Sequence, residues 1–145
     1  MAGQEIWTVD DVLGAARADN RGLLVDHLGI EFVAVGDDWL EARMPVVQHN
    51  KQPAGLLHGG ASLVLAETLA SAACFYTLDA ASQSCVGLDI NANHLHAARA
   101  GFVYGRATPV HRGRTTQVWD IRLRDEGGRT TCISRCTMAV LTRRD

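Results

Sequence analysis

The sequence predicts an α+β fold in which a six-stranded antiparallel sheet wraps one long buried helix. Three observations predict it. Residues 61–78 (ASLVLAETLASAACFYTL) are the one long stretch rich in helix formers, free of proline and glycine, and apolar nearly all round. Four segments after it read with period two. Two shorter strand-like segments precede it, separated by a Gly-Asp-Asp turn. The chain then makes a single domain, 1–145, with residues 1–22 as an N-terminal extension carrying a short helix.

Taken in order, residues 1–7 read as a loose terminus. Thr8 and Asp11 have the spacing of a capping box, with aspartate in place of the usual glutamate. Val9, Val12, Leu13 and Ala16 recur at helical spacing, so a short amphipathic helix over 9–19 is expected, ended by Asn20-Arg21-Gly22. Residues 28–35 and 39–46 form two strands joined through Gly36-Asp37-Asp38. Residues 48–60 (QHNKQPAGLLHGG) are a polar loop running into a Gly-Gly pair, and the buried helix follows. Strands are expected over 84–98, 101–111, 114–126 and 129–142. In the third of these, Gln117, Trp119, Ile121 and Leu123 fall on one side and Val118, Asp120, Arg122 and Arg124 on the other, the pattern of a half-buried strand. Asp125-Glu126-Gly127-Gly128 is a hairpin turn.

Composition excludes several classes. Hydrophobic residues make up 47% and charged ones 21%, ordinary values for a globular domain. Lys and Arg number 14 against 16 Asp and Glu, and the net charge of −2 gives no general pull toward nucleic acid. No apolar run reaches the ~20 residues of a membrane span. The opening residues show no basic stretch followed by an apolar one, so a cytoplasmic protein without membrane association is expected. The four cysteines, Cys74, Cys85, Cys132 and Cys136, form no C-x-x-C pair and read as free thiols; Cys132 and Cys136 share one strand face as small apolar residues.

Glu67 is the most informative residue. It is the only Asp, Glu, Lys or Arg between Lys51 and Asp79, and it sits in the middle of the apolar helix. A carboxylate there is costly to desolvate unless it is paired or functional, and burial should raise its pKa. It is either a catalytic group, the partner of an arginine, or a residue facing a second subunit. Ser71, four residues on, shares its helical face and either positions a water against Glu67 or packs on the sheet with a bond to the backbone. His58-Gly59-Gly60 opens the helix, where unpaired N–H groups and the helix dipole suit an oxyanion, His58 adding a donor; a plain turn is the alternative. Gln52 sits in the loop ahead, able to donate to a carbonyl or to remain solvated. His94 and His96 share a strand face and His111 ends the next strand. No carboxylate or cysteine stands beside them at tight ligand spacing, so no metal is expected. His111-Arg112-Gly113-Arg114-Thr115-Thr116 is a basic, hydroxyl-rich turn, suited to phosphate or simply solvated.

Together these residues resemble a known family. GLLHGGASLVLAETLAS, with Gln52, His58-Gly59-Gly60, Glu67 and Ser71 in that order, resembles the helix motif of the hotdog-fold acyl-CoA thioesterases of the phenylacetate-pathway (PaaI-like) type. VGLDINANHLHAAR and PVHRGRTTQVWDIRLRDEGGR narrow the resemblance to the branch acting on 1,4-dihydroxy-2-naphthoyl-CoA in menaquinone synthesis and its enterobactin-pathway proofreading paralogue. The similarity runs from about Val25 to Leu141. It implies thioester hydrolysis on an aromatic acyl-CoA, the coenzyme A being part of the substrate and no further cofactor being needed. Other thioesters of the family, medium-chain acyl-CoAs and aryl groups on a carrier protein, are the alternative substrates, and a non-catalytic acyl-CoA-binding domain is the alternative role. The resemblance implies that Glu67 acts as general base or as nucleophile, that the N–H of Gly59 or Gly60 polarises the thioester carbonyl with help from His58 and Gln52, and that Ser71 positions the water. It assigns Gly87, the stretch His94, Leu95, His96 and Ala97, and the stretch His111, Arg112, Gly113, Arg114, Thr115 and Thr116 to coenzyme A. It also implies a homo-oligomer, a dimer of dimers, with the site at the dimer interface.

Overall fold

The computed structural model describes residues 5–143, so the first four residues of the expected loose terminus lie outside it. The chain runs α1 (Val12–Asp19), α2 (Leu24–His27), β1 (Glu31–Val35), β2 (Leu40–Pro45), α3 (Gly59–Phe75), β3 (Gln83–His94), β4 (Phe102–Arg112), β5 (Thr116–Asp125) and β6 (Thr130–Thr142). The six strands form one sheet ordered β1-β2-β4-β5-β6-β3, antiparallel throughout. The long helix α3 packs on one face of it.

The two periodicities meet in the core. Leu40, Ala42 and Met44 of β2, Val103 and Ala107 of β4, Trp119, Ile121 and Leu123 of β5, and Cys132, Cys136 and Met138 of β6 are buried at every-second-residue spacing. They meet Leu65, Ala66, Leu69, Ala70 and Ala73 of α3. Leu65 and Leu69 have no exposed surface, and burying each stabilises the fold by roughly 1.5–3 kcal/mol. Gly105 lets the helix come close: a Cβ there would lie 2.7 Å from Leu69 Cδ1. A buried polar chain fixes the far end of α3. Trp119 Nε1 donates to Gln117 Oε1 (3.0 Å), Gln117 Nε2 donates to Thr77 Oγ1 (3.0 Å), and Thr77 Oγ1 donates to the Cys74 carbonyl (2.7 Å).

The opposite face of the sheet carries charge. Glu41 is only 7% exposed and accepts from Arg106 Nε (3.1 Å) and Arg124 Nη2 (3.0 Å). Arg106 lies over the Trp39 ring at 3.8 Å and Arg124 over Tyr104 at 4.9 Å. The pairing with arginine considered for Glu67 is thus found at Glu41 instead.

Several expectations are corrected. Residues 6–8 are tied down, not loose. Ile6 N–H donates to the Asp37 carbonyl (3.0 Å), Trp7 Nε1 to the Gly36 carbonyl (2.7 Å), and Thr8 Oγ1 to the carbonyls of Tyr76 and Leu78. Thr8 is therefore engaged elsewhere, and Asp11 caps α1 by accepting from Gly14 N–H at 2.8 Å. The short helix α2 has no strong periodic signal. Helix α3 starts two residues before the expected 61, because His58 supplies its N-cap, and ends three before 78. It is buried along one side rather than all round: Val64, Glu67, Thr68, Ser71 and Phe75 border a cavity on the single chain. Strand β3 stops at His94, so His96 falls in the turn beyond it.

Candidate active site

The loop before α3 is built to present the helix end. Asn50, 4% exposed, accepts from Val47 N–H (3.0 Å) and donates to the Pro45 carbonyl (2.8 Å), pinning the loop to the end of β2. Gln52 N–H donates to the Leu56 carbonyl and Gly55 N–H to that of Gln52, a tight turn in which Gly55 takes φ +79°. Gln52 Oε1 accepts from Ala54 N–H, which leaves its Nε2 as the outward donor. His58 N–H donates to the Asn50 carbonyl at 2.9 Å, and His58 Nδ1 accepts from Gly60 N–H at 2.8 Å. That bond fixes the tautomer: the proton sits on Nε2, which is free to donate. It also uses the Gly60 N–H. Of the two glycine amides expected to polarise a carbonyl, only that of Gly59 is without an acceptor among the described residues.

A cavity of about 280 Å³ opens beside this helix end, and among its lining are Gln52, Gly59, His94, Leu95, His96 and Ala97. His94 lies so close to Gly59 that a Cβ on the glycine would be 2.8 Å from its Nε2. The His94–Ala97 wall is held by a bulge in β6. Leu123 pairs with Cys132 and Arg124 with Thr130, so Thr131 is the extra residue. Its carbonyl accepts from the N–H groups of Leu95 (2.8 Å) and His96 (3.3 Å), and His96 Nδ1 bonds the Thr130 carbonyl at 2.8 Å.

Glu67 and Ser71 lie elsewhere, in a second cavity of about 510 Å³ with Val64, Ala72, Phe75, Cys85 and residues of the α1–α2 segment. Gly59 and Glu67 are eight residues apart on a straight helix, hence separated by ~12 Å along its axis. Glu67 is exposed on the single chain and makes no ion pair among the described residues. The burial expected of it is therefore absent within one subunit. Ser71 Oγ lies 4.0 Å from Met138 Sδ rather than on the backbone of Glu67. Gly87 sits under the carboxylate: a Cβ there would be 3.0 Å from Glu67 Oε1. Gly87 thus belongs with Glu67 and not with the His94–Ala97 wall. The negative charges of Glu67 and Asp89, after burial, push the Cys136 thiol up to about 11.

The stretch His111–Thr116 forms the β4–β5 hairpin and lines neither of these cavities. Arg112 and Arg114 are exposed and make no ion pair among the described residues. Among the described residues no three His, Cys, Asp or Glu side chains are placed to hold a metal, and no helix is long and apolar enough to cross a membrane. Sequence reasoning missed Asp19, Leu24, Val25, Tyr76 and Cys85 at the Glu67 cavity. It also missed Thr131. Only the aromatic at the end of α3 carried a local signal.

The profile of the "Thioesterase superfamily" matches residues 54–132. A 1,4-dihydroxy-2-naphthoyl-CoA hydrolase of Escherichia coli (strain K12) is 50% identical over 136 residues, 94% of this chain and 99% of that protein. The proofreading thioesterase EntH of Cronobacter turicensis is 48% identical over 136 residues, 94% of this chain and 98% of its own. The crystal structure of a mutant thioesterase from Pseudomonas aeruginosa superposes with a TM-score of 0.93 at 46% identity, covering 96% of this chain and all of that one.

Proposed function

The chain belongs to the thioesterase superfamily and hydrolyses thioesters, and from that premise we propose that its substrates are aromatic acyl-CoAs cleaved at a site shared between two subunits. The observation that carries the shared site is the separation on α3. The free Gly59 N–H, His58 Nε2 and Gln52 Nε2 belong to one helix end, while Glu67 lies about two turns away and Ser71 about three, in another cavity. One rigid helix cannot bring them to one carbonyl. A second copy, its α3 running the other way, can. The sheet offers the means: β3 is an edge strand of 12 residues, with Val86 and Leu88 47% and 63% exposed. Pairing of two such edges would set Gly87 and Glu67 near the seam. A dimer of two such dimers is the further assembly we propose.

In this arrangement the Gly59 N–H of one subunit polarises the thioester carbonyl, with His58 Nε2–H and Gln52 Nε2 as further donors. Glu67 of the other subunit either removes a proton from the attacking water or attacks the carbonyl itself, and Ser71 holds the water. A thiolate leaves readily, so no strong general acid is required. The expected substrate is 1,4-dihydroxy-2-naphthoyl-CoA or a related aryl thioester, in line with the name of the Escherichia coli relative.

Two experiments test this. A panel of benzoyl-, dihydroxynaphthoyl- and medium-chain acyl-CoAs should show the aryl thioesters with the highest kcat/KM; preference for the alkyl chains would overturn the substrate reading. Glu67→Gln should lower kcat by about three orders of magnitude, the middle of the range of general-base effects. Mixing Glu67→Gln subunits with Gln52→Ala subunits, each inactive, should restore about a quarter of wild-type activity, because mixed dimers keep one intact site. No recovery after verified subunit exchange would place the whole site in one chain and refute the shared geometry.

A further inference from the structure

The Glu67 cavity has a polar far end that the hydrolytic machinery does not use. Between Glu67 and that end the lining includes the apolar Ala72 and Phe75 of α3 together with Leu24 and Val25 of the α1–α2 segment. Beyond them stands Tyr76, nine residues and ~13 Å of helix axis past Glu67. Tyr76 is 4% exposed, and its hydroxyl donates to Asp19 Oδ2 at 2.6 Å, a short charge-assisted bond. The neighbouring Asn20 also lines the cavity, with its Nδ2 already donating to the Ala16 carbonyl at 2.8 Å.

The direction of that bond decides what the pair can offer. The Tyr76 proton is spent on Asp19, so the phenolic oxygen has only acceptor capacity left. Asp19 Oδ1 has no partner among the described residues and is also an acceptor. Burial and the adjacent carboxylate both hold the Tyr76 proton in place, shifting its ionisation upward. The far end therefore welcomes a hydrogen-bond donor and repels an anion.

We propose that the Asp19–Tyr76 pair is a specificity determinant, selecting acyl groups that carry a hydroxyl at the end remote from the thioester. This rests on the thioesterase reading, with the acyl group lying along the Glu67 cavity. Two fused rings suit the distance better than one, since the acyl carbon must sit at Glu67 while the hydroxyl reaches the end of the helix. Hydroxyls beside the thioester would not contact the pair, so it reads a different position of the ring system from any proximal substituent.

The test compares 2-naphthoyl-CoA, 6-hydroxy-2-naphthoyl-CoA and 6-carboxy-2-naphthoyl-CoA. The wild-type kcat/KM should favour the hydroxylated over the unsubstituted thioester by about tenfold, the worth of a hydrogen bond to a charged group at a partly open site. The carboxylated thioester should be the poorest. Asp19→Ala should bring the hydroxyl preference close to one; because the readout is a ratio, a general loss of activity cancels. Asp19→Asn keeps an acceptor for the Tyr76 hydroxyl and turns an amide donor to the cavity, so it should raise kcat/KM for the carboxylated thioester by about tenfold. A purely structural Asp19 would not produce that reversal. An unchanged hydroxyl preference in Asp19→Ala, or no gain on the carboxylated thioester in Asp19→Asn, overturns the proposal while leaving thioester hydrolysis intact. Failure of the wild type to cleave any of the three would overturn it together with the aryl-thioesterase reading.

Discussion

Gly87 offers a direct measure of how closely the Glu67 carboxylate must be placed. Its missing side chain leaves room for Oε1, and a Cβ would stand 3.0 Å from that oxygen. Ordinary non-bonded contact begins near ~3.5 Å, so Gly87→Ala should drive the carboxylate back by roughly 0.5 Å. Misplacing a reacting group by 1 Å costs about 10²-fold, so half that shift should cost about tenfold in kcat. KM should change little, because the acyl cavity is lined by other residues. Folding of the single chain should be unaffected: Gly87 is exposed there, and no positive φ forbids a side chain. Steady-state kinetics on one aryl-CoA, with a thermal melt alongside, reads both quantities. Wild-type kcat in Gly87→Ala, confirmed by the bulkier Gly87→Val, would refute the reasoning, because the carboxylate would then have no required position. A fall in melting temperature matching the fall in kcat would refute it differently, by making the effect structural.

The remaining predictions separate roles that coincide in single residues. His58→Asn should keep the helix cap and the melting temperature while losing about 10² in kcat with the Nε2 donor; His58→Ala should lose the same activity and also about 1 kcal/mol, about 3 °C at this length. Removing Arg106 and Arg124 together should cost about 2 kcal/mol by stranding the buried Glu41 carboxylate, whereas Glu41→Gln should cost less, since both arginines can rehydrate; urea unfolding gives both values. Cys85 borders the Glu67 cavity, and donation from Cys74 holds its thiol below the ordinary 9.0 against the opposing effect of burial. Below its midpoint the protonated thiol is inert, so iodoacetamide labelling followed by mass spectrometry should modify Cys85 before Cys136, with a rate rising through a midpoint below 9.0 and turnover falling in step.

Much of the fold is legible because it rests on periodicity. Gln117, Trp119, Ile121 and Leu123 are buried in alternation with Val118, Asp120, Arg122 and Arg124, three of them charged. Element ends were less legible where one side chain decides them. His58 starts α3 two residues early because its ring, rather than a serine or aspartate, accepts the orphan N–H. The bulge at Thr131 hides inside an apparently continuous strand, since one inserted residue leaves the composition unchanged while re-aiming the side chains around it. Glu67 stood out as a lone charge in an apolar run, yet that cue misread its surroundings. The sequence spacing suggested burial; the structure shows a carboxylate on the open side of a half-buried helix. The Asp19–Tyr76 bond joins residues 57 positions apart, and no local pattern announces such a contact.

The open side of α3 links these observations. A helix with eight buried residues on its sheet side is apolar beyond that side too, because Val64, Ala72 and Phe75, half-buried at the margin of the core, border the cavity. A monomer would gain nothing by exposing them beside a carboxylate, and isolated helices of this composition normally bury both sides. In the proposed dimer these residues would form the wall of a compartment completed by the acyl group and the neighbouring chain. On the proposed mechanism Glu67 would supply the reactive oxygen near one end of that wall, and Asp19 with Tyr76 would form the recognition point at the other. The helix would then fix the distance between bond cleavage and substrate selection, and the nine residues from Glu67 to Tyr76 would set the size of acyl group that the proposed pair reads.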